Sequence, residues 1–123
     1  PMQVYGQSKL ANILFTKALS TKLSDFGVTV NCLHPGFVST GIGSNNNKTL
    51  WTFLMFLAKP FARKTDKGAE TSIYLCSSPE VENISGEYFV DCKIEKISEA
   101  AKSTEQSESL WKISTELTGI DLN

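Results

Sequence analysis

Histidine is almost missing from this sequence: His34 is the only one in 123 residues. A lone imidazole with no Cys-x-x-Cys pair beside it argues against a zinc or other multi-ligand metal site. Cysteine is scarce as well. Cys32, Cys76 and Cys92 are odd in number and widely spaced, so they cannot all pair within the chain. A reducing compartment is the simplest expectation. There is no excess of positive charge either. Twelve Lys+Arg stand against thirteen Asp+Glu, a formal net charge of −1. That removes the electrostatic footprint of a nucleic-acid binder. The longest strongly apolar run, residues 50–58, falls far short of the ~20 residues needed to span a bilayer. Internal repeats and low-complexity linkers are lacking. With 41% hydrophobic, 10% aromatic and 20% charged residues, one ordinary globular domain is expected.

No signal or transit peptide opens the chain at Pro1, and residues with chemical potential begin within a few positions of it. The chain is therefore expected to be a piece of a longer protein.

The pattern that is present alternates helix and strand. Leu10, Ile13, Leu14, Ala18, Leu19 and Leu23 recur at helical spacing and predict a helix over residues 5–23, with Gly27 at its end. Residues 28–33 form a short β-branched run, read as a buried strand that breaks at His34-Pro35-Gly36. Thr65 is placed to cap a helix through Cys76, with Ala69, Ile73 and Cys76 as its apolar face and Ser78-Pro79 as its stop. Tyr88-Phe89-Val90 predicts a second strand. Ser103 and Gln106 form a capping-box pattern ahead of a last amphipathic helix, carrying Leu110, Trp111, Ile113 and Leu117 and closed by Gly119. That helix is expected to pack on the sheet. Such an order belongs to an α/β architecture.

Chemistry is suggested first by Tyr5 and Lys9, four apart and therefore on one helical face, one turn from each other. A phenol with a pKa near ~10 is a poor proton shuttle at neutral pH, and shifting it by about three units takes roughly 4 kcal/mol. A cation about 4 Å away supplies on the order of that much at an effective dielectric near 20. Such a pair suits a general acid/base, with Tyr5 as the shuttle. A surface tyrosine and lysine would share the same spacing, so context matters. The context is the strand end at His34-Pro35-Gly36-Phe37-Val38-Ser39-Thr40. Ligands of open α/β sheets sit beyond the carboxyl ends of the strands. Gly36 allows close backbone approach there, Val38 offers backbone groups and Thr40 a hydroxyl.

Tyr5-Gly6-Gln7-Ser8-Lys9-Leu10-Ala11-Asn12 resembles the Tyr-x-x-x-Lys active-site helix of the short-chain dehydrogenases/reductases. His34-Pro35-Gly36-Phe37-Val38-Ser39-Thr40 resembles that family's Pro-Gly-x-Val-x-Thr segment, at matching distance. The segments 68–72, 85–93 and 110–114 resemble the retinol-dehydrogenase branch, so the likeness covers nearly the whole chain. The resemblance implies the C-terminal part of a Rossmann-like doubly wound parallel sheet: active-site helix, sixth strand, substrate-binding helices, seventh strand and last helix. Residues 1–123 would be the C-terminal portion of a single NAD(P)-binding domain.

By the same resemblance, Tyr5 is the catalytic acid/base, and Lys9 tunes it and holds the nicotinamide ribose. Pro35 and Gly36 border the nicotinamide, and Val38 and Thr40 contact its carboxamide. The cofactor implied is NADP(H), with NAD(H) still open, and the substrate a retinoid or another apolar carbonyl or alcohol. A steroid or lipid-aldehyde reductase is the alternative enzyme, and a non-catalytic truncated chain that pairs with intact subunits the alternative class. The family's glycine-rich phosphate loop and catalytic serine find no counterpart in these residues, so this stretch alone is expected to be marginally stable and inert. Trp51, Phe53 and Phe56 lie where the family places its substrate lid, and with Lys59, Arg63, Lys64 and Lys67 they suit a membrane surface. The branch implies the cytosolic face of the endoplasmic reticulum membrane, with mitochondria as the other possibility. It also implies a homodimer through the active-site helix. The sequons at Asn47 and Asn83 would be chance matches there.

Overall fold

A computed structural model describes residues 2–36 and 65–120. Helix α1 spans Met2–Lys22. Strand β1 is Cys32–His34, helix α2 Thr65–Ser77, strand β2 Tyr88–Val90, strand β3 Lys93–Ile94 and helix α3 Thr104–Thr118. Short 3-10 turns at Ser24–Phe26, Pro79–Val81 and Ala100–Lys102 join them. The strands lie in the order β1-β2-β3. β1 and β2 are parallel, with Cys32 opposite Tyr88, Leu33 opposite Phe89 and His34 opposite Val90. β3 folds back antiparallel on β2. A parallel pair needs a long crossover, and here the chain between residues 35 and 87 supplies it, α2 included. This is part of a Rossmann-like α/β fold.

The helix ends follow their sequence signals. Gly27 and Gly119 adopt the left-handed backbone that favours glycine, at φ 67 and φ 68. The Gly119 N–H donates to the Thr115 carbonyl at 2.8 Å. Ser103 caps α3 by accepting the Gln106 N–H at 3.2 Å, as the capping pattern predicts.

The core is small and centred on α1. Leu14, Ala18, Val81, Phe89 and Ala101 are its buried apolar residues, and Phe89 is 1% exposed. α3 packs along α1 rather than chiefly on the sheet, which corrects the expectation for the last helix. The reason is aromatic. Trp111 stacks on Phe15 of α1 with centroids 5.4 Å apart, and the Lys22 ammonium sits 5.2 Å over the same indole. The Lys22 ammonium also pairs with Glu108 at 3.7 Å.

Three further details differ from the sequence reading. The first strand begins at Cys32, not at residue 28. Just ahead of it, side chains add to the main-chain bond that the Gly86 N–H donates to the Val30 carbonyl at 2.7 Å. The Val30 N–H donates to Ser85 Oγ at 3.0 Å, and the Asn31 amide bonds the facing segment on both sides, Nδ2 to the Ile84 carbonyl at 2.6 Å and Oδ1 from the Glu87 N–H at 3.0 Å. Second, α2 buries Gly68 and Thr71 rather than Ala69, Ile73 and Cys76, which are exposed. Thr71 Oγ1 accepts the Cys92 N–H at 3.2 Å, so this face is chosen by the hairpin it supports. Third, β3 is an addition. Asp91 and Cys92, at φ 52 and φ 61, make a two-residue turn with both backbones left-handed, the geometry that matches the twist of a tight hairpin.

Candidate active site

Side-chain contacts fix how α1 runs against the sheet. Ser20 lies against Gly86, two positions before β2: a Cβ on that glycine would stand 2.9 Å from Ser20 Oγ. One turn earlier on α1, Thr16 lies beside the Cys32 thiol at the start of β1, its own hydroxyl donating to the Asn12 carbonyl at 2.9 Å. Moving backwards along α1 therefore moves forwards along the strands. From Thr16 back to Lys9 is about 10 Å of helix at ~1.5 Å per residue. From Cys32 to His34 is about 7 Å of strand at ~3.3 Å per residue. Tyr5, Lys9 and the His34-Pro35-Gly36 turn thus run to the same end of the sheet, beyond the carboxyl end of β1.

At that end the first turns of α1 are open. Residues 3 to 9 are exposed throughout, and Tyr5 is 63% exposed, leaving its hydroxyl accessible to a bound molecule. The Lys9 ammonium lies 5.2 Å from the centroid of the Tyr5 ring, over its face. The two side chains are brought together as the i, i+4 spacing predicts. Ser8 turns its hydroxyl inwards to the Tyr5 carbonyl at 2.7 Å. Among the described residues Lys9 has no carboxylate partner.

Across from them, Gly36 takes a left-handed backbone at φ 77, and its N–H donates to His34 Nδ1 at 2.8 Å. The turn is a built structure, closed by the imidazole of the residue that ends the strand. Val38, Thr40, Trp51, Phe53 and Phe56 lie outside the described residues. In sequence Asn31 is marked only as part of a strand; its clamp on residues 84–87 fixes the register that carries β1 to its end. The signal available was an amide inside a β-branched run.

The cysteines are spread out. Burial pushes the Cys32 thiol up, against the neighbouring Thr16 hydroxyl that pulls it down. Cys76 is exposed and Cys92 half-buried, and all three are free. No group of three His, Cys, Asp or Glu able to hold a metal occurs among the described residues. No helix among them is long and apolar enough to cross a membrane.

The family model for short chain dehydrogenase matches residues 1–51. Human retinol dehydrogenase 14 is 45% identical over 118 residues, covering 94% of this chain and 35% of that protein. The chain belongs to the short-chain dehydrogenase/reductase family. Mouse retinol dehydrogenase 12 is 42% identical over 116 residues, covering 94% of this chain and 36% of that protein. The human WW domain-containing oxidoreductase is 40% identical over 118 residues, at 94% and 28% coverage. The chain thus spans about a third of the length of the curated relatives it matches. A short-chain dehydrogenase/reductase takes a nicotinamide cofactor, and the residues here fit one. A phenol and an ammonium with no carboxylate partner among the described residues supply donors on one side, and a glycine in a left-handed turn leaves room for close approach on the other.

Proposed function

We propose that the protein carrying this chain is an NADP(H)-dependent oxidoreductase acting on an apolar alcohol or aldehyde of the retinoid type. The observation that carries this reading is the Tyr5–Lys9 pair on the open face of α1, with the lysine ammonium 5.2 Å from the tyrosine ring. When bound, the nicotinamide supplies or accepts the hydride. The chain's own residues handle orientation and the proton. Tyr5 donates its phenolic proton to the carbonyl oxygen in reduction and takes the hydroxyl proton in oxidation. Lys9 stabilises the phenolate left behind and donates to the cofactor's ribose. Pro35 and Gly36 would border the nicotinamide ring, Gly36 offering no side chain in its way, and Val38 and Thr40 would hold its carboxamide.

The retinoid class is favoured by the relatives named retinol dehydrogenases and by the aromatic residues Trp51, Phe53 and Phe56. Residues 1–123 form the C-terminal portion of the cofactor-binding domain in this reading. The active-site helix is also the surface for a homodimer, and the endoplasmic reticulum membrane the site of action.

The test is an assay of the intact protein with retinal and with NADPH or NADH. Activity with NADPH is expected, and Tyr5→Phe should lower kcat by about 10²- to 10⁴-fold with little change in cofactor affinity. Full activity of Tyr5→Phe would overturn the proposed role of the phenol. Equal activity of both cofactors would overturn the NADP(H) preference.

A further inference from the structure

The geometry points to His34 as a positioning residue for the cofactor-facing turn: its imidazole accepts the Gly36 N–H and so fixes the backbone of Pro35 and Gly36. The inference rests on the reading that this turn borders the nicotinamide.

Ladder pairing ends at His34, opposite Val90. Pro35 has no N–H to offer, so Gly36 carries the first main-chain donor after the strand. The exposed His34 ring folds back and accepts that donor at Nδ1, 2.8 Å away. A side-chain acceptor bonded to the N–H two residues on is the arrangement of an Asx turn, made here by histidine instead of asparagine. It holds Gly36 at φ 77, a conformation that side-chain-bearing residues rarely adopt.

The bond dictates a protonation state. Nδ1 must keep its lone pair, so a neutral ring carries its proton on Nε2. A protonated imidazole has two donors and no acceptor and cannot hold Gly36. The turn therefore requires the neutral ring protonated at Nε2. Charged and titratable groups on the neighbouring elements are few. Lys17 of α1 and Glu87 act on Cys32, at the other end of β1. Tyr88 pairs with Cys32, and Asp91, Cys92 and Lys93 follow Val90, the residue opposite His34. None of them replaces Nδ1 as the acceptor of the Gly36 N–H.

The test measures NADPH and NADH binding to the intact protein by fluorescence. His34→Ala should weaken binding about tenfold, the scale of a small misplacement at a binding wall. His34→Asn keeps an acceptor at the right reach. It should restore binding to within about threefold of the parent, since an acceptor for the Gly36 N–H is kept. If His34→Ala binds as the parent does while Gly36→Val loses binding, the role of His34 is overturned and the turn's place at the cofactor stands. If Gly36→Val binds as tightly as the parent, the placement of the turn fails, and the inference with it. Should His34→Ala fail to fold, nitrogen-15 NMR of the intact protein decides: a neutral His34 protonated at Nδ1 overturns the assignment, and one protonated at Nε2 supports it.

Discussion

Ser107 of α3 donates its hydroxyl hydrogen to the main-chain carbonyl of Leu14 in α1, 2.7 Å away and buried. It ties together two helices 93 positions apart in sequence. The serine is 3% exposed and Leu14 6% exposed, so neither group has water to fall back on. Small size is part of the role: a serine at the crossing lets the helices approach, and Phe15 and Trp111 then stack beside it.

Ser107→Ala should lower stability by about 1 kcal/mol, the net worth of a buried hydrogen bond whose acceptor retains its helical environment. Ser107→Leu should cost more, about 1–3 kcal/mol from overpacking at the crossing. Urea unfolding of the intact protein measures both. An alanine variant as stable as the parent would show that this bond contributes nothing.

Gly86 sits at φ 80 against Ser20. Gly86→Ala places an L-residue in the left-handed region, at a cost of roughly 1–2 kcal/mol. It also sets the new methyl 2.9 Å from Ser20 Oγ. Ser20→Ala removes the second penalty and leaves the first. A double-mutant cycle should therefore give a coupling of at least ~0.5 kcal/mol. Strict additivity would mean that α1 does not press on this turn.

Cys92 is in the left-handed region without being glycine. Cys92→Gly should stabilise the protein by about 1 kcal/mol, because the strain disappears while the main-chain bond to Thr71 remains. Thermal unfolding would show a raised Tm. The companion change Thr71→Val removes the acceptor of that bond and should lower Tm.

Tyr74 donates its hydroxyl to the Glu80 carboxylate at 2.9 Å, and that bond raises the phenol above its ordinary value. A proton held more tightly in the folded state adds stability that is complete below pH ~10 and is lost as pH rises beyond it. Tyr74→Phe should show a shallower fall in stability across the alkaline range than the parent. Denaturant midpoints measured at several alkaline pH values check this, and parallel curves would refute it.

Periodicity was enough for the long helices. The spacing of Leu10, Leu14 and Ala18, and the Ser103 and Gly119 caps, act within a turn or two of chain, so α1 and α3 were legible. The second strand was legible for the same reason, as a β-branched and aromatic run after a turn. The hairpin was not. Asp91-Cys92 lacks the usual glycine, and what steadies the turn is Thr71, about twenty positions away in sequence. On α2 hydrophobicity marks Ala69, Ile73 and Cys76, while the hairpin requires Gly68 and Thr71 to be buried.

The sequence alone determined where the helices lie, that Tyr5 and Lys9 share a face, and that the first strand leads into a Pro-Gly turn. Those features depend on neighbours within one or two turns. Only the tertiary structure decided the direction of α1 along the strands, and thus that the Tyr5–Lys9 pair and the His34 turn reach the same end of the sheet. It also decided that the last helix rests on α1, and that the only histidine closes a turn with its Nδ1 lone pair. Contacts such as Thr16 with Cys32 and Ser107 with Leu14 join segments whose spacing in sequence carries no periodic mark. They are settled by which surfaces fit when the chain packs.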